Sequence, residues 1–480
     1  MEEILKVNDL KVVIENKIIT DNISFSVKKG GILGIVGESG SGKTMTSLAV
    51  MGLLPEEAEV SGSIICGETE LTKLSHSQRR SINGKEVSMI FQEPMTSLNP
   101  LMKVGRQVEE MLILHTDMKK AERKQTVINM FKEVELPEPE KIYNMYPHNL
   151  SGGMRQRVMI AMALILNPSL MIADEPTTAL DKEVEDEIIK LLLKLNKEKN
   201  VSIVFVSHDL GIIKEISNEV IVMKDGTIVE KGKTESIFNS PSHPYTKLLL
   251  DSVKKDKKEA EKKSENIILD VKNVSLYYKV KGKKEYIAKN INFTMNKGEI
   301  LGIQGKSGCG KTTLVKSILG LRDEYDGEII CNADKKHMVF QDPYGAINPV
   351  KKIEWILSEP LKIQNKKAGG NLYTKEDIRK KTEEMIEKVG LEPEYLKRYP
   401  SQLSGGQRQR IAIAVALIGG SDFIVADEPV SALDMTIQKQ VLELLLKLQK
   451  EFGLSILFIS HDENVMESMC DRILRWNYEK

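Results

Sequence analysis

The sequence lacks the features that would place it across a membrane or send it through a secretory route. No apolar run in its 480 residues approaches the roughly 18 residues that a membrane-spanning helix needs. Residues 1–6 do not have the layout of a signal peptide. We therefore expect any membrane role to be peripheral, through a partner, on the cytosolic side.

An excess of one charge and a paired set of cysteines are also missing. The 69 basic and 69 acidic residues balance, so no basic field supports a nucleic-acid partner. The four cysteines, Cys66, Cys309, Cys331 and Cys470, have no paired spacing for zinc or an iron–sulfur cluster. The composition indicates a globular protein with reduced, isolated thiols and enough length for two or three domains.

The strongest motif that is present is a glycine-rich stretch, GESGSGKT, at residues 37–44. It follows an apolar run at 32–36 and leads into a helix-like segment at 44–54. This order of strand, loop and helix is the context of a phosphate-binding loop, where backbone N–H groups and a helix N-terminus surround an anion. Lys43 would then reach the β- and γ-phosphates of a nucleotide, and the Thr44 hydroxyl would bind Mg²⁺.

This motif and several others occur twice. A second loop, GKSGCGKT, stands at residues 305–312, again after an apolar run. Leu-Ser-Gly-Gly, Asp-Glu-Pro and Ser-His-Asp each recur with one offset of 253 residues. A single glycine-rich turn can arise by chance, but recurrence at a fixed offset predicts two tandem copies of one nucleotide-binding domain.

Each copy has the alternating strand-like and helical runs of an α/β domain with a mostly parallel sheet. From Gln92 to Leu150 the pattern turns mainly helical, and its counterpart runs from about Gln341 to Leu403, so we expect a helical insert in each copy. A charged stretch without large apolar residues predicts a solvated linker. The expected domains are residues 1–253 and 267–480, joined by a linker at 254–266.

Two pairs of carboxylates follow apolar strands. Asp174 and Asp427 end these strands, where a carboxylate can hold Mg²⁺ or its waters. The adjoining Glu175 and Glu428 are candidates for polarising the water that attacks a γ-phosphate. A lone Asp-Glu pair is more often a solvated strand end, but recurrence in both copies favours the catalytic interpretation.

Two histidines and two glutamines complete the candidate set. His208 and His461 each follow a buried strand, at the edge where α/β sheets bind ligands, which favours a γ-phosphate contact over a purely structural role. Gln92 and Gln341 each follow a Phe. Both glutamines are candidates for linking the metal site to the helical insert.

Leu-Ser-Gly-Gly opens a long helix in each copy, predicted at residues 154–166 and 407–418. Its Ser and glycine N–H groups would form an anion site at a helix N-terminus. Each copy already has a phosphate loop, so the economical interpretation is that each of these helix ends faces the ATP of the other copy.

Together these motifs resemble those of the ABC-type ATPases over essentially the whole chain, twice and in the family's order. The resemblance implies two P-loop NTPase domains that pair head to tail around two composite ATP sites with Mg²⁺. Site one would contain Gly37, Ser39, Gly40, Gly42, Lys43, Thr44, Gln92, Asp174, Glu175 and His208, closed by Ser404, Gly405, Gly406 and Gln407. Site two would contain Tyr278, Gly305, Ser307, Gly308, Gly310, Lys311, Thr312, Gln341, Asp427, Glu428 and His461, closed by Ser151, Gly152, Gly153 and Met154. The implied catalytic residues are Glu175, His208, Glu428 and His461, and the implied Mg²⁺ ligands are Thr44, Gln92, Asp174, Thr312, Gln341 and Asp427.

Three positions depart from the family pattern. Where the family stacks an aromatic ring on adenine, the second copy has Tyr278 but the first has Ile14, which puts base stacking at site one in doubt. Met154 stands where the family usually has a signature Gln. Cys309 lies inside the second phosphate loop, where we interpret it as a small residue.

Finer features resemble the importers of dipeptides, oligopeptides and nickel, namely the segments at 92–100 and 341–349 and the His-Pro-Tyr-Thr stretch within 241–249. This resemblance implies two fused ATPase subunits on the cytoplasmic face of the membrane, docked on two permease subunits that a substrate-binding protein feeds. The cargo stays open among peptides, nickel and metal–chelator complexes. The alternatives are a twin ATPase acting on ribosomes, whose long basic linker is missing, and a DNA-repair ATPase, whose coiled-coil insertion is missing.

Overall fold

The computed structural model of the chain describes residues 2–92, 97–178, 180, 182–253, 266–280, 282–305, 309–340, 343–370, 372–430, 433 and 435–476. The chain divides into two compact units, Met1–Val253 (unit 1) and Lys254–Lys480 (unit 2). The linker predicted at 254–266 lies outside the described residues except for its last residue.

Unit 1 contains ten strands and ten helices among its described residues. The strands are β1 (Glu3–Ile14), β2 (Lys17–Lys28), β3 (Ile32–Val36), β4 (Ala58–Cys66), β5 (Thr69–Glu70), β6 (Val87–Ile90), β7 (Leu170–Asp174), β8 (Ser202–Val206), β9 (Glu219–Lys224) and β10 (Thr227–Lys233). The helices are α1 (Lys43–Met51), α2 (His76–Ile82), α3 (Val104–His115), α4 (Lys120–Glu133), α5 (Pro139–Ile142), α6 (Gly152–Leu164), α7 (Lys182–Lys199), α8 (Leu210–Ile216), α9 (Thr234–Asn239) and α10 (Pro244–Val253), with short 3₁₀ turns at Leu71–Lys73 and Pro147–Asn149.

The strands of unit 1 form two sheets. One is antiparallel, in the order β2-β1-β4-β5, and the other runs β10-β9-β3-β8-β7-β6 and is parallel except for β10. The central strands β3, β7 and β8 are buried at every residue, as strands covered on both faces must be. Side chains such as Leu5, Val12, Leu33 and Ile172 fill the core that contacts both sheets.

Unit 2 repeats this order with eight strands and seven helices among its described residues. The strands are β11 (Ile267–Val280), β12 (Lys283–Asn296), β13 (Ile300–Gln304), β14 (Tyr325–Cys331), β15 (Lys336–Val339), β16 (Phe423–Asp427), β17 (Ser455–Ile459) and β18 (Arg472–Arg475). The helices are α11 (Lys311–Ile318), α12 (Pro343–Ala346), α13 (Ile353–Lys367), α14 (Lys375–Lys388), α15 (Gly405–Ile418), α16 (Met435–Phe452) and α17 (Glu463–Met469), with 3₁₀ turns at Pro393–Lys397 and Pro400–Gln402.

The sheets of unit 2 confirm the predicted α/β class and the tandem repeat. Its parallel sheet runs β15-β16-β17-β13-β18, the order in which the corresponding strands of unit 1 lie. An antiparallel sheet, β12-β11-β14, matches the one in unit 1. In both units the strands that precede the phosphate loop, the Asp-Glu pair and the histidine are adjacent, so their carboxyl ends meet at one edge.

The predicted helical inserts are present. In unit 1, helices α3 to α6 follow Gln92, and α6 packs against α3, α4 and β6. In unit 2, helices α13 to α15 take the same place and pack on one another. No helix in the described part of the chain has both the length and the apolarity to cross a lipid bilayer.

Candidate functional site

The phosphate loop of unit 1 joins β3 to α1 as predicted, but the helix ends at Met51 instead of near Leu54. Gly52 stops it with a left-handed conformation at φ 67°. At the other end, Gly42 has φ 96°, and a Cβ there would lie 2.8 Å from Thr20 Cγ2, so this turn requires glycine. The helix N-terminus therefore opens directly at the loop, where an anion binds most favourably.

Lys43 is buried within its own loop. Its side chain is 5% exposed, and Nζ donates hydrogen bonds to the carbonyl oxygens of Gly37 and Glu38, each at 2.8 Å. The loop residues Ser39 and Gly40 are exposed, and nothing lies within 4 Å of a Cβ placed on Gly40. The loop is thus folded around the ammonium group and leaves its outer surface open for phosphate.

The loop of unit 2 has the same construction where the structure describes it. Gly310 has φ 100° and precedes α11, and Lys311 Nζ donates to the Gly305 carbonyl at 2.6 Å. Thr312 Oγ1 donates to Asp427 Oδ2 at 3.0 Å, which joins the loop to the end of β16. Ser307 and Gly308, two of the predicted ligands, lie outside the described residues.

The aspartates at the ends of β7 and β16 are buried beside the loops. Asp174 is 1% exposed, and burial raises its pKa to about 6, although a hydrogen bond with Thr44 opposes this shift. Burial likewise raises the pKa of Asp427, against the hydrogen bond from Thr312. A buried carboxylate whose anion is costly without a partner is suited to a cation.

These residues fit Mg²⁺ in the way that nucleotide sites hold it. Asp174 Oδ1 is buried and has no hydrogen-bond partner, so it is available as an oxygen ligand beside the Thr44 hydroxyl. The described residues contain no cluster of three His, Cys, Asp or Glu side chains that would form an all-protein cage. Mg²⁺ commonly takes one or two protein oxygens and completes its shell with phosphates and water.

Glu175 lies at the centre of the site in unit 1. Its φ of 47° is unusual for a residue with a side chain, and its N–H donates to the Val206 carbonyl at 2.9 Å. Its carboxylate accepts from Gln92 Nε2 at 2.8 Å and from Thr178 Oγ1 at 3.0 Å, and His208 Nδ1 lies 3.4 Å away. Burial opposes ionisation, but the contacts with His208 and Thr178 and the charge of Lys43 together outweigh it and lower the pKa of Glu175.

Unit 2 repeats this arrangement. Glu428 also has φ 47°, and its N–H donates to the Ile459 carbonyl at 2.9 Å. His461 Nδ1 lies 3.2 Å from Glu428 Oε1, and this hydrogen bond raises the pKa of His461 above its usual value. The predicted Gln341 lies outside the described residues. In each unit the fold thus brings together the phosphate loop, the Asp-Glu pair and the histidine.

The signature helices begin two residues earlier than predicted, because each serine is an N-cap. Ser151 Oγ accepts from the Met154 N–H at 3.3 Å, and Ser404 Oγ accepts from the Gln407 N–H at 3.3 Å. Gln407 Oε1 also accepts from the Ser404 N–H at 2.9 Å and completes a capping box, a bond that the Met154 side chain cannot make.

The glycines of the signature lie against the helix that follows the Asp-Glu pair. A Cβ on Gly153 would be 2.6 Å from Val184, and one on Gly406 would be 2.3 Å from Ile437. The close approach leaves no room for a side chain. A Cβ on Gly152 would lie 3.3 Å from Leu180 Cδ2, and one on Gly405 would lie 3.3 Å from Leu433 Cδ2, with no other close contact at either position.

Tyr278 stands beside the phosphate-loop helix of unit 2. Its hydroxyl lies 3.5 Å from Thr313 Oγ1, and its ring is 48% exposed. The Arg322 guanidinium lies 4.1 Å from the ring centroid, and its Nη2 donates to the Tyr277 carbonyl at 2.7 Å. The Thr313 hydrogen bond and the Arg322 charge lower the pKa of Tyr278. Arg322 and Thr313 were not predicted from the sequence as part of the site, because only the fold shows that they contact Tyr278.

Two aromatic residues that support the loops were also missed. Tyr245, from the His-Pro-Tyr-Thr stretch, accepts the Glu38 N–H on its hydroxyl at 3.2 Å. Trp476 donates from Nε1 to the Cys309 carbonyl at 3.0 Å, whereas the matching carbonyl of Ser41 accepts from the Gly226 N–H at 3.2 Å. The offset of 253 residues places Trp476 opposite Met223, but only the fold shows that both positions adjoin a phosphate loop.

Comparison with protein families identifies two kinds of match. The family model described as ABC transporter matches residues 20–178 and 288–431. The model described as the C-terminal region of oligopeptide/dipeptide transporters matches residues 229–282. The second match begins on β10 and includes the whole of α10.

Curated relatives match nearly the whole chain. The glutathione import ATP-binding proteins GsiA of Escherichia coli (strain K12) and of Shigella sonnei (strain Ss046) are each 38% identical over 510 aligned residues. Each alignment covers 94% of this chain and 80% of the relative.

Solved structures match one half of the chain. The dimeric ATP-binding cassette MJ0796 in a post-hydrolysis state with ADP and Pi is 31% identical, covers 48% of this chain and 98% of its own, and has a TM-score of 0.43. The cbiO1 protein of Clostridium perfringens, part of the ABC transporter complex cbiONQ, is 27% identical, covers 50% and 92%, and has a TM-score of 0.44.

Proposed function

We propose, from the premise that this chain belongs to the ABC transporter family as an importer ATPase with two ATP-binding domains, that its two units hydrolyse ATP at two composite sites. Membership confirms the expected ABC-type fold and ATPase activity. The ribosome-acting alternative has no support from the comparisons, and nickel as cargo has no specific support. The composite sites, the residue roles, the partners and the cargo below are our proposals.

In the proposed arrangement, each unit supplies a phosphate loop and its partner unit supplies a signature helix. Site one would join the unit 1 loop, Gln92, Asp174, Glu175 and His208 to residues 404–407. Site two would join the unit 2 loop, Tyr278, Gln341, Asp427, Glu428 and His461 to residues 151–154. Exposed, serine-capped helix N-termini in both units support this proposal, because such ends attract phosphate but each unit has already built one loop for its own nucleotide.

The single observation that carries the hydrolytic role is the contact of each glutamate with a histidine. His208 lies 3.4 Å from Glu175, and His461 lies 3.2 Å from Glu428. A glutamate kept ionised in a buried site can accept a proton from an attacking water, and the histidine fixes its orientation. Gln92 contacts Glu175 as well, so movement of the segment after Gln92 would alter the position of the base.

Mg²⁺, when bound, would neutralise charge on the phosphates. Thr44, Asp174 and Gln92 would hold it at site one, and Thr312, Asp427 and Gln341 at site two. A cation beside Asp174 would favour its anion, which burial disfavours by raising its pKa. The lysines of the two loops position the phosphates.

Two permease subunits are the proposed partners, and the helical inserts carry the docking surface. Apolar residues of unit 1 are exposed on or near α3, among them Phe91 (39%), Leu101 (85%) and Leu114 (68%). The matching positions of unit 2, Phe340, Val350 and Ile363, are exposed at 43%, 73% and 50%. Exposure of apolar side chains at the same places in both units favours a bound partner.

A cleft in unit 2 adjoins this surface. It has a volume of about 570 Å³ and is lined by Phe340, Ile347, Ile363 and Val415, with Lys335 and Lys367 also in its wall. A short amphipathic helix with acidic flanks would fit its chemistry. We propose that each permease presents such a segment on the cytoplasmic side, which would hold this chain peripherally at the membrane and link ATP-driven closure to transport.

The proposed cargo is a small peptide-like solute delivered by a substrate-binding protein. The match to the oligopeptide/dipeptide transporter region and the glutathione import function in the names of the relatives support this class. Selection of the individual solute would lie in the permease and the binding protein.

The test of the hydrolytic role is the double variant Glu175→Gln and Glu428→Gln. We expect it to bind ATP within about twofold of the parent while hydrolysis falls about a hundredfold or more, because the general base is lost but the phosphate loops are intact. The matched control is Glu198→Gln, an exposed carboxylate on α7 that should change neither quantity. Full turnover in the double variant would exclude these glutamates as bases.

A further inference from the structure

The first turn of α7 in unit 1 carries a group of charged side chains that the matching helix of unit 2 replaces. Lys182 Nζ forms ion pairs with Glu185 and, at 3.6 Å, with Asp186. The offset of 253 residues places these side chains at the same positions of unit 2: Met435, Gln438 and Lys439. Two carboxylates around an ammonium group thus become an apolar, a neutral and a basic side chain.

The position of Lys182 is unfavourable for the helix alone. Lys182 is the first residue of α7, and the dipole of a helix disfavours a cation at its N-terminus. Burial lowers the pKa of Lys182, but its hydrogen bond to Glu185 and the charges of Glu185, Asp209 and Asp186 outweigh burial and raise the pKa. Carboxylates from two separate parts of the chain therefore hold the ammonium group in place.

Glu185 is the more buried member of the ion pair and contacts the segment after the proposed base. Its side chain is 14% exposed, and burial raises its pKa, against the opposing effects of Lys182 and of a hydrogen bond with Thr177. Thr177 is 6% exposed and lies two residues after Glu175. Unit 2 has Val430 at the position of Thr177, and a valine side chain cannot donate this hydrogen bond.

The second segment that these charges reach is the loop that carries His208. Asp209 caps α8, since its Oδ1 accepts from two N–H groups of that helix at 2.7 and 3.2 Å. The charge of Asp209 acts on Lys182, and α7 packs against α8. In unit 2, Asp462 caps its helix in the same way, but Met435 stands at the position of the lysine.

We propose that Lys182 and Glu185 form a clasp of positioning residues for hydrolysis at site one. The clasp holds the segment after the proposed base through Thr177 and the histidine loop through Asp209. It thereby maintains the contact between the base and its histidine, whereas the phosphate loop binds ATP without it. This inference rests on the proposed hydrolytic role of that contact. Because unit 2 has other side chains at the clasp positions, only site one depends on this ion pair.

The experiment gives unit 1 the side chains of unit 2. Lys182→Met with Glu185→Gln is made in full-length Glu428→Gln protein, in which hydrolysis is left to site one. We expect kcat to fall about tenfold and KM for ATP to stay within about twofold, because a displaced base slows the chemical step and leaves the phosphate loop intact. In Glu175→Gln protein, where hydrolysis is left to site two, the same double change should alter neither quantity.

Two controls separate positioning from loss of charge or of fold. Lys182→Arg keeps the cation and should retain kcat. Lys199→Met with Glu133→Gln removes an ion pair of 2.7 Å at the opposite end of α7 and should leave kcat unchanged. An unchanged kcat in the clasp variant, an equal fall at both sites, or an equal fall in the Lys199 control would overturn the proposal.

Amide hydrogen exchange tests the clasp independently of hydrolysis. In the clasp variant, residues 207–212 should exchange several-fold faster than in the parent, because the cap of α8 loses its tie to α7, and residues 460–465 should be unaffected. Unchanged exchange at 207–212 would overturn the proposal.

These data also separate the inference from the function on which it rests. If neither single-glutamine protein hydrolysed ATP, independent hydrolytic sites would be contradicted, and the exchange data would still decide whether the clasp holds the histidine loop. If both proteins hydrolysed ATP and the clasp variant left site one unaffected, only the inference would fail.

Discussion

Tyr245 connects the His-Pro-Tyr-Thr stretch to the phosphate loop of unit 1, and removal of its hydroxyl is the most specific test of that connection. The side chain is 6% exposed, and its hydroxyl accepts the Glu38 N–H at 3.2 Å. Glu230 anchors the stretch, because it accepts from the N–H groups of Ser242 and His243 at 2.7 and 3.1 Å. Tyr245→Phe keeps the ring in place and deletes a single oxygen.

The expected magnitude follows from the one hydrogen bond that is lost. Glu38 is half-buried, so its N–H would be left partly unsatisfied at a cost of about 1 kcal/mol. That cost shifts the balance between ordered and distorted loop by about fivefold. We therefore expect KM for ATP at site one to rise about fivefold, with kcat at saturating ATP unchanged, since Tyr245 contacts the loop and none of the proposed catalytic side chains is altered.

The assay compares matched variants at separate sites. Tyr245→Phe and Trp476→Phe, which removes the donor to the Cys309 carbonyl, are each measured in two proteins. The Lys311→Ala protein keeps the loop lysine of site one, and the Lys43→Ala protein keeps that of site two. ATP affinity should fall several-fold at the site that each aromatic residue supports and stay constant at the other. The control is Trp355→Phe on α13, which should affect neither site. If Tyr245→Phe left ATP binding unchanged, or weakened both sites equally, the support role would be refuted.

Three further outcomes are expected. Glu109 is 0% exposed and accepts hydrogen bonds from Tyr143, Arg106 and Arg123. Burial raises the pKa of Glu109, but these hydrogen bonds and charges together outweigh it and lower the pKa below 4.5. The contribution of ionised Glu109 to folding stability is therefore full above pH 4.5 and is lost as the pH falls through the lowered pKa. Glu109→Leu should lower the free energy of unfolding, measured in urea, by about 3 kcal/mol at pH 7 and by less in acid. An equal loss at both pH values would show that the stabilisation does not come from the ionised carboxylate. Glu428 raises the pKa of His461, so the stabilisation from that pair is present below pH 6.5 and is lost as the pH rises through the raised pKa. In the Glu428→Gln variant, the pKa of His461 measured by NMR titration should return toward 6.5. An unmoved pKa would show that Glu428 is not the partner of His461. Leu114→Asp with Ile363→Asp should abolish co-purification with the permeases and keep basal ATP hydrolysis within about twofold. The exposed control Leu248→Asp should keep both co-purification and hydrolysis, and retained co-purification in the double variant would place the docking surface elsewhere.

The sequence was sufficient to predict the repeat, the α/β class and the residues at the strand ends. These are periodic or local features: Asp174 and Asp427 follow fully buried strands, and each phosphate loop has its glycines and lysine at fixed spacing. Both aspartates are buried and Glu175 contacts Gln92 and His208, whereas the metal-binding and catalytic roles of these residues stay predictions.

The supports of the site could not be predicted in the same way, because they come from distant parts of the chain. Tyr245 is more than 200 residues from Glu38, and Trp476 is 167 residues from Cys309. Helix boundaries also shifted where a cap decided them, as Ser151 does for α6. The left-handed backbone of Glu175 and Glu428 has no sequence signal, since glutamate rarely adopts it without the hydrogen bonds of the folded sheet edge.

Cysteine cross-linking tests most directly whether each site borrows the signature helix of the other unit. In a background without the four native cysteines, Ser39→Cys is paired with Ser404→Cys, or with Ser151→Cys as the same-unit control; all three serines are exposed. A disulfide forms only where the two Cβ atoms approach to roughly 4 Å. With ATP bound to the Glu175→Gln, Glu428→Gln protein, composite sites predict efficient oxidation of the 39–404 pair and none of the 39–151 pair. A disulfide between 39 and 151, or none at 39–404, would contradict the account.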